Sequence, residues 1–316
     1  MFITGGTGFY GKWLLEAIVA ANDTLGANIR TTLLSRDPAR FRAEVPHLGS
    51  HPEFEWIVGE PARFEFPTGR FDYLIDFATP SAAEVGAGGT AIVERCLHGS
   101  AKLIRFSKAA GVRRVLYASS GAVYGRQPGN VERLAEDFPA DAATVSPYGR
   151  LKQRSEALLL ESGLDCVIAR GFAFIGPYLP LTDKFAAGSF LRDAAAGGPI
   201  VVNGNGTAVR SYLYAADLAV WLLTLLVKST AGKAFNVGSD EAVSILDLAK
   251  LISELVTHRP EIKVLQADSS TSKHDFYVPD IRYARSAMDL KAMYPLPEAV
   301  RKTIAWQRRS IGRMAE

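Results

Sequence analysis

The 316-residue chain lacks most of what would mark it as secreted, membrane-bound or nucleic-acid-binding. Cys96 and Cys166 are its only cysteines, too few for a disulfide framework or a cysteine-based zinc site, and their apolar surroundings suit buried free thiols in a reducing compartment. The longest apolar run, Leu218 to Val227, falls short of the roughly 18 to 20 residues that a membrane span needs and predicts a buried helix. No basic n-region and apolar stretch follow Met1, so no secretory signal is expected and the expected location is cytoplasmic. Lys and Arg number 36 against 33 Asp and Glu, a net charge of +3, and no basic stripe accompanies that balance. Neither nucleic acid nor membrane is therefore an expected partner. The tail that carries Arg301, Lys302, Arg308, Arg309 and Arg313 among Ile304, Trp306 and Ile311 fits the solvated face of an amphipathic terminal helix. His47 and His51 have the spacing of helical metal ligands, but Pro46, Gly49 and Pro52 argue for a surface loop, and no metal is expected. There is no internal repeat and no low-complexity segment.

What is present is a 48% hydrophobic chain with material for about two domains at roughly 150 residues each. Short β-branched and aromatic runs near residues 1–4, 29–35, 54–58, 72–77, 113–118 and 165–170 predict strands. Helical-period stretches fall between them, most clearly at 11–21, 90–110 and 147–162, the last with Ser146 as N-cap and Pro147 at the first helical position. That alternation predicts an α/β fold, a Rossmann-type doubly wound parallel sheet over residues 1–175. Beyond residue 176 the turns Gly176-Pro177, Gly197-Gly198-Pro199 and Gly204-Asn205-Gly206 predict a smaller substrate lobe over 176–316. The strand-like Ala234 to Val237 and the helical stretch 244–256 suggest that 211–245 returns to the main sheet, so the lobe is expected to be interleaved with the first domain. Asp217, opening the apolar helix, is expected as an N-cap.

Gly5, Gly8 and Gly11 follow the first strand and open a helix. Such glycines allow a tight turn, backbone approach to a pyrophosphate and close helix-to-strand packing, while the helix N-terminus attracts the anion. At the tip of the second strand stands Ser35-Arg36-Asp37. A small polar residue followed by arginine suits the 2′-phosphate of NADP, whereas Asp37 one position later could instead take the ribose hydroxyl of NAD. NADP is the expected cofactor, with NAD the alternative.

Tyr148 and Lys152 lie four apart on the predicted helix and share a face. An ammonium there is expected to lower the phenol's pKa toward the range useful for proton transfer, helped by the helix N-terminus. Ser120 emerges at the carboxyl end of a predicted strand, where ligands bind in open parallel sheets, and could donate to the same oxygen that Tyr148 protonates.

In the order GGTGFYG, GVRRVLYASSGAVYG, SPYGRLK, RGFAFIGP, the chain resembles the extended short-chain dehydrogenase/reductases, the nucleotide-sugar epimerase/dehydratase family. The resemblance implies Tyr148 as acid/base, Lys152 holding the nicotinamide ribose, and Ser120 polarising the substrate oxygen. It places the cofactor against Gly5, Thr7, Gly8, Phe9, Tyr10, Gly11, Ser35, Arg36, Glu60, Ala78, Tyr148 and Lys152, and the substrate against Thr79, Ser120, Tyr148, Ala173 and Arg210. It adds a homodimer through helices 90–110 and 147–162, although burial within one chain explains their apolar positions equally well.

Several departures narrow the reaction. Family members that eliminate water carry an Asp-Glu pair after the active-site hydroxyl, and here Gly121 and Ala122 occupy those positions, so a 4,6-dehydratase lacks its acid and base. Reduction of a nucleotide-linked 4-keto-6-deoxy sugar is the expected reaction. C4 epimerisation with retained NAD is one alternative, and reduction of a small non-nucleotide ketone or aldehyde is another. Ala173 stands where an asparagine often contacts the sugar, and Cys96 stands for another family asparagine. Arg210 aligns with an arginine that grips the diphosphate, but Lys273, His274 and Asp275 replace a second phosphate-binding arginine.

Overall fold

The structure, a computed structural model, describes residues 1–266 and 275–314. The chain runs β1 (Phe2–Thr4), α1 (Phe9–Leu25), β2 (Thr31–Ser35), α2 (Pro38–Glu44), the one-turn α3 (Pro46–Gly49), β3 (Phe54–Val58), β4 (Tyr73–Asp76), α4 (Ala82–Ala109), β5 (Arg114–Ser120), α5 (Pro147–Leu160) and β6 (Cys166–Gly171). It continues through β7 (Ala173–Ile175), α6 (Ala186–Ala195), β8 (Ile200–Val202), β9 (Val209–Tyr214), α7 (Ala215–Lys228), β10 (Lys233–Val237), β11 (Ala242–Ser244), α8 (Ile245–Leu255), β12 (Ile262–Val264), β13 (Phe276–Tyr277), α9 (Arg282–Met288) and α10 (Leu296–Met314).

Seven strands pair in parallel in the order β10-β6-β5-β4-β1-β2-β3, the doubly wound arrangement expected of the α/β alternation. Period-two side-chain placement explains why helices cover both faces. Ile3, Leu116, Val167 and Ala169 point into one core with Leu14, Ile18 and Trp221 from α1 and α7. Their neighbours Phe2, Val115, Tyr117 and Ile168 point the other way, against Leu103 and Phe106 of α4 and Leu159 of α5. A third core, built on Phe190, Leu191, Leu248, Ile252 and Val300, joins α6, α8 and α10 beside a small sheet in which β9 pairs with β7, β11 and β13. No described helix is long and apolar enough to cross a membrane.

Local signals explain most boundaries. Ser146 accepts the Gly149 N–H at 3.1 Å with Pro147 in the first turn, so α5 starts where expected. The helix expected from residue 90 starts earlier, at Ala82, because Ser81 and Glu84 form a reciprocal capping box. Gly89, at φ 53° and ψ −144°, breaks it near the expected start. Three further expectations are corrected. Asp217 is not the N-cap of α7; Tyr214 precedes the helix, and the Asp217 carboxylate accepts the Met293 and Tyr294 N–H groups at 3.0 and 3.2 Å. Pro46 starts the short helix α3 instead of preventing one, since a first-turn residue needs no amide donor. His47 pairs there with Glu16 at 2.9 Å while His51 packs on Phe54. Cys166 is buried, but Cys96 is only half-buried.

Candidate active site

The turn between β1 and α1 forms one wall of a groove of about 480 Å³ at the carboxyl ends of the sheet strands. Gly5, Thr7 and Gly8 line it, facing Ser35, Arg36, Glu60, Ala78 and Thr79. Gly5 adopts φ +67°, and a Cβ there would lie 2.6 Å from the backbone carbon of Phe77, so only glycine lets the turn approach β4. A Cβ at Gly11 would lie 2.4 Å from the Gly6 backbone. The exposed Gly8 ends at the helix N-terminus, and the first N–H groups of α1 have no side-chain cap. This cradle fits a dinucleotide pyrophosphate.

The acidic alternative at the end of β2 is used elsewhere. Asp37 caps α2 by accepting the Arg40 N–H at 2.9 Å, and its own N–H donates to Ser35 Oγ at 3.2 Å. Arg40 pairs with Glu44, whereas Arg36 is exposed on the groove and makes no ion pair with a described residue.

Past the groove, the three expected chemical side chains converge. Lys152 is buried and donates to Thr79 Oγ1 at 2.7 Å and to the Ala118 carbonyl at 2.6 Å, tying α5 to the ends of β4 and β5. Its ammonium lies 4.6 Å from the centre of the Tyr117 ring and 5.8 Å from that of Tyr148. The Ser120 side chain stands close enough to the Tyr148 phenol to lower its pKa. Ser120 Oγ also accepts the Ala122 N–H at 3.2 Å, which fixes the hydroxyl at the strand tip.

Burial dominates the electrostatics. It pulls Lys152 down to about 8, with Asp76 and then Glu156 working in the opposite direction. Asp76, buried against Thr4 Oγ1 at 2.5 Å and the Ala78 N–H at 3.1 Å, is itself pushed above the usual carboxylate range by burial. Tyr148 is raised by burial, and Ser120 offsets part of that rise. The expected depression of Tyr148 by Lys152 is thus absent: burial raises the phenol, and Ser120, not the ammonium, is the group that lowers it, while Lys152 is held by Thr79 and Ala118.

The remaining expected residues divide. Tyr10 is raised by burial, then by Tyr148 and Tyr277, and its hydroxyl presses on the Cα of Gly171, where a Cβ would be 2.2 Å away. Phe9 packs on the main core beside the Tyr10 ring, while Ala173 begins β7 and packs on the core of the lobe. Arg210 on β9 is engaged by Asp275, at 2.6 Å to the carboxylate and 2.8 Å to its carbonyl. Lys273 and His274 lie outside the described residues.

Two participants were not anticipated. Tyr277, on β13, brings its hydroxyl within 3.4 Å of Ser120 Oγ and 3.5 Å of the Gly171 carbonyl, its ring centre 4.6 Å from that of Phe172 at a 35° tilt. Nothing in its local spacing announces this, because the pairing of β13 with β9 is long-range. Glu156 was more accessible to reasoning: it follows Lys152 by one turn. It accepts Ser119 Oγ and takes Arg170 in a fork at 3.1 and 2.8 Å.

The sequence matches the model of the NAD dependent epimerase/dehydratase family over residues 1–238. It is 27% identical to UDP-glucuronic acid decarboxylase 1 of Xenopus tropicalis, covering 100% of this chain and 73% of the relative. It is 22% identical to dTDP-D-glucose 4,6-dehydratase of Mus musculus over 98% and 89% of the two chains. In fold it resembles UDP-N-acetylglucosamine 4-epimerase from Methanobrevibacter ruminantium M1, with a TM-score of 0.84, 21% identity and 98% of each chain covered. MoeE5, solved in complex with UDP-glucose and NAD, gives a TM-score of 0.80 at 23% identity over 98% and 99% of the chains.

Proposed function

This chain belongs to the NAD-dependent epimerase/dehydratase family, and on that premise we propose that it is an NADP-dependent reductase of a nucleotide-linked 4-keto-6-deoxy sugar. The observation that carries the cofactor choice is at the tip of β2, where Asp37 is committed to capping α2 and Arg36 is left on the groove without an ion-pair partner among the described residues. An arginine so placed suits a 2′-phosphate, while the carboxylate that would select a ribose hydroxyl is taken up by the α2 cap.

The bound nicotinamide would supply hydride to the carbonyl carbon. Gly5, Thr7, Gly8 and Arg36 would hold the dinucleotide, and Lys152, satisfied by Thr79 and Ala118, would offer its remaining proton toward it. Ser120 would hold the carbonyl oxygen, and the Tyr148 hydroxyl beside it would give its proton as that oxygen gains charge. A phenol that burial keeps protonated suits this donor role, because the reduction needs a proton delivered.

What speaks for reduction over water elimination is the pair of positions after Ser120. Gly121 and Ala122 offer no proton, and a side chain at 121 would meet the Phe172 ring at 2.7 Å and the Tyr277 hydroxyl at 2.8 Å. A second reading, reduction of a small non-nucleotide carbonyl, draws support from Asp275, which already neutralises Arg210.

The test is turnover of the purified protein with 4-keto sugar nucleotides and NADPH, followed by nicotinamide absorbance. One NADPH consumed per product supports the reading. Interconversion of UDP-sugars by protein that carries its own NAD would replace it with the epimerase, and carbon dioxide release from UDP-glucuronate would replace it with the reaction of the decarboxylase relatives.

A further inference from the structure

The chain contains two kinds of arginine–carboxylate pair. Arg114 takes Asp165 through Nε and Nη2, both at 2.8 Å, and Arg170 takes Glu156 through the same fork. These are two-point contacts of the geometry that arginine prefers, and they join elements of the main domain. Arg210 differs. Its carboxylate contact with Asp275 has one point, Nη2 to Oδ2 at 2.6 Å, while Nη1 is held by the carbonyls of Val209 and Asp275, each at 2.8 Å. The Arg210 side chain remains 25% exposed and that of Asp275 50% exposed, so solvent reaches both.

The location gives this weak contact a use. Tyr277 pairs with Arg210 across β13 and β9, and the Tyr277 hydroxyl lies 3.4 Å from Ser120 Oγ, so the guanidinium stands one strand away from the reacting centre. Because the backbone carbonyls hold Nη1 on their own, the Asp275 carboxylate can rotate away while β13 and the arginine stay in place. An anion with several acceptor oxygens could then take Nη2 and the unused donors of the fork.

We propose that the Asp275 carboxylate is an internal stand-in for the diphosphate of a nucleotide-linked substrate, seated on Arg210 until that diphosphate displaces it. The inference rests on the nucleotide-sugar reading above. It makes Asp275 a specificity residue: a neutral carbonyl compound leaves the pair intact, while a diphosphate must compete with it, and a monoanion with fewer oxygens competes poorly.

The experiment is calorimetric titration of UDP, and separately of inorganic pyrophosphate, into the full chain as wild type, Asp275→Asn, Arg210→Gln and the double variant. Asp275→Asn keeps the backbone bonds and the size of the side chain. It should bind UDP about two- to fivefold more tightly, the size expected for removing competition from a half-exposed ion pair. Arg210→Gln should weaken UDP binding, and adding Asp275→Asn to it should change nothing further. Unchanged or weaker binding by Asp275→Asn, an equal gain in the Arg210→Gln background, or no UDP binding by any variant would overturn the proposal. These titrations involve no turnover, so they stand apart from the reductase assignment, which fails or survives on NADPH consumption.

Discussion

The dinucleotide half and the lobe that closes over it are built on opposite principles. In the first, function follows from local pattern: Gly5 turns at positive φ after β1, Ser146 and Pro147 start α5, and one helical turn separates Tyr148 from Lys152. In the second, function follows from pairings between distant segments: β13 beside β9, Tyr277 against Ser120 across 157 positions, and Asp275 on Arg210 across 65. On the reading proposed above, the chemistry of the site comes from one half and its selectivity from the other. Substitutions in the two halves should therefore differ in kind.

The largest expected effect lies in the first half. Tyr148→Phe removes the proton donor and should lower kcat by about 10² to 10⁴ while NADP affinity changes little. Stopped-flow or steady-state turnover together with cofactor titration checks it, and near-normal turnover would remove Tyr148 from the mechanism. Next is Arg36→Ala, which deletes a charged partner of the 2′-phosphate and should weaken NADP by about 10- to 100-fold, given about 1.5 to 3 kcal/mol for a charged hydrogen bond. NAD affinity should hold, and an equal loss for both cofactors would show that Arg36 reads no phosphate.

Gly121→Asp tests whether the lobe closes the site against a side chain. The new group would run into Phe172 and the Tyr277 hydroxyl, and overpacking of this kind costs about 1 to 3 kcal/mol. Thermal unfolding should fall by several degrees with no dehydratase activity gained. A stable variant would mean that β13 yields easily and that the closure is soft.

The smallest expected effect is in pH dependence. Burial holds the folded-state pKa of Lys152 at about 8, below the roughly 10.4 of an unfolded lysine. Between those values the unfolded chain binds more protons, so this residue makes stability rise with pH across that window and leaves it flat below. Activity should run the other way, with kcat/KM falling above about pH 8 as the ammonium is lost. In Lys152→Arg the guanidinium keeps its charge, and the break should move upward. A profile without a break near pH 8, or one unmoved in Lys152→Arg, would mean that another group sets the limit.

Which parts were legible follows from the same contrast. The strands of the main sheet and the helices beginning at α1 and α5 were readable because burial on both faces forces apolar runs, and because caps and turns act within a few residues. The expected start of α4 at residue 90 falls at the break at Gly89; the segment before it, from Ala82, was not legible because Gly86, Gly88 and Gly89 obscure a turn that the Ser81–Glu84 box begins. Asp217 looked like a cap because acids favour first turns, yet its carboxylate serves the amides of Met293 and Tyr294, more than seventy residues away. That Tyr148 and Lys152 would share a face was legible from spacing. Their protonation balance was not, because burial, which no spacing encodes, raises Tyr148 and only Ser120 works against it.

The sequence by itself determined that a glycine turn would meet a helix N-terminus, that Tyr148 and Lys152 would share a face, and that positions 121 and 122 would hold no acid. Those are consequences of covalent geometry and residue chemistry within one or two turns of chain. Only the tertiary structure decided that Asp37 would be occupied as a cap while Arg36 stayed open to the groove, that Tyr277 would stand beside Ser120, and that Asp275 would sit on Arg210. The reason is that a side chain's partner is chosen by what the folded backbone brings within about 3 Å, and for those groups the competing partners come from segments far apart in the chain.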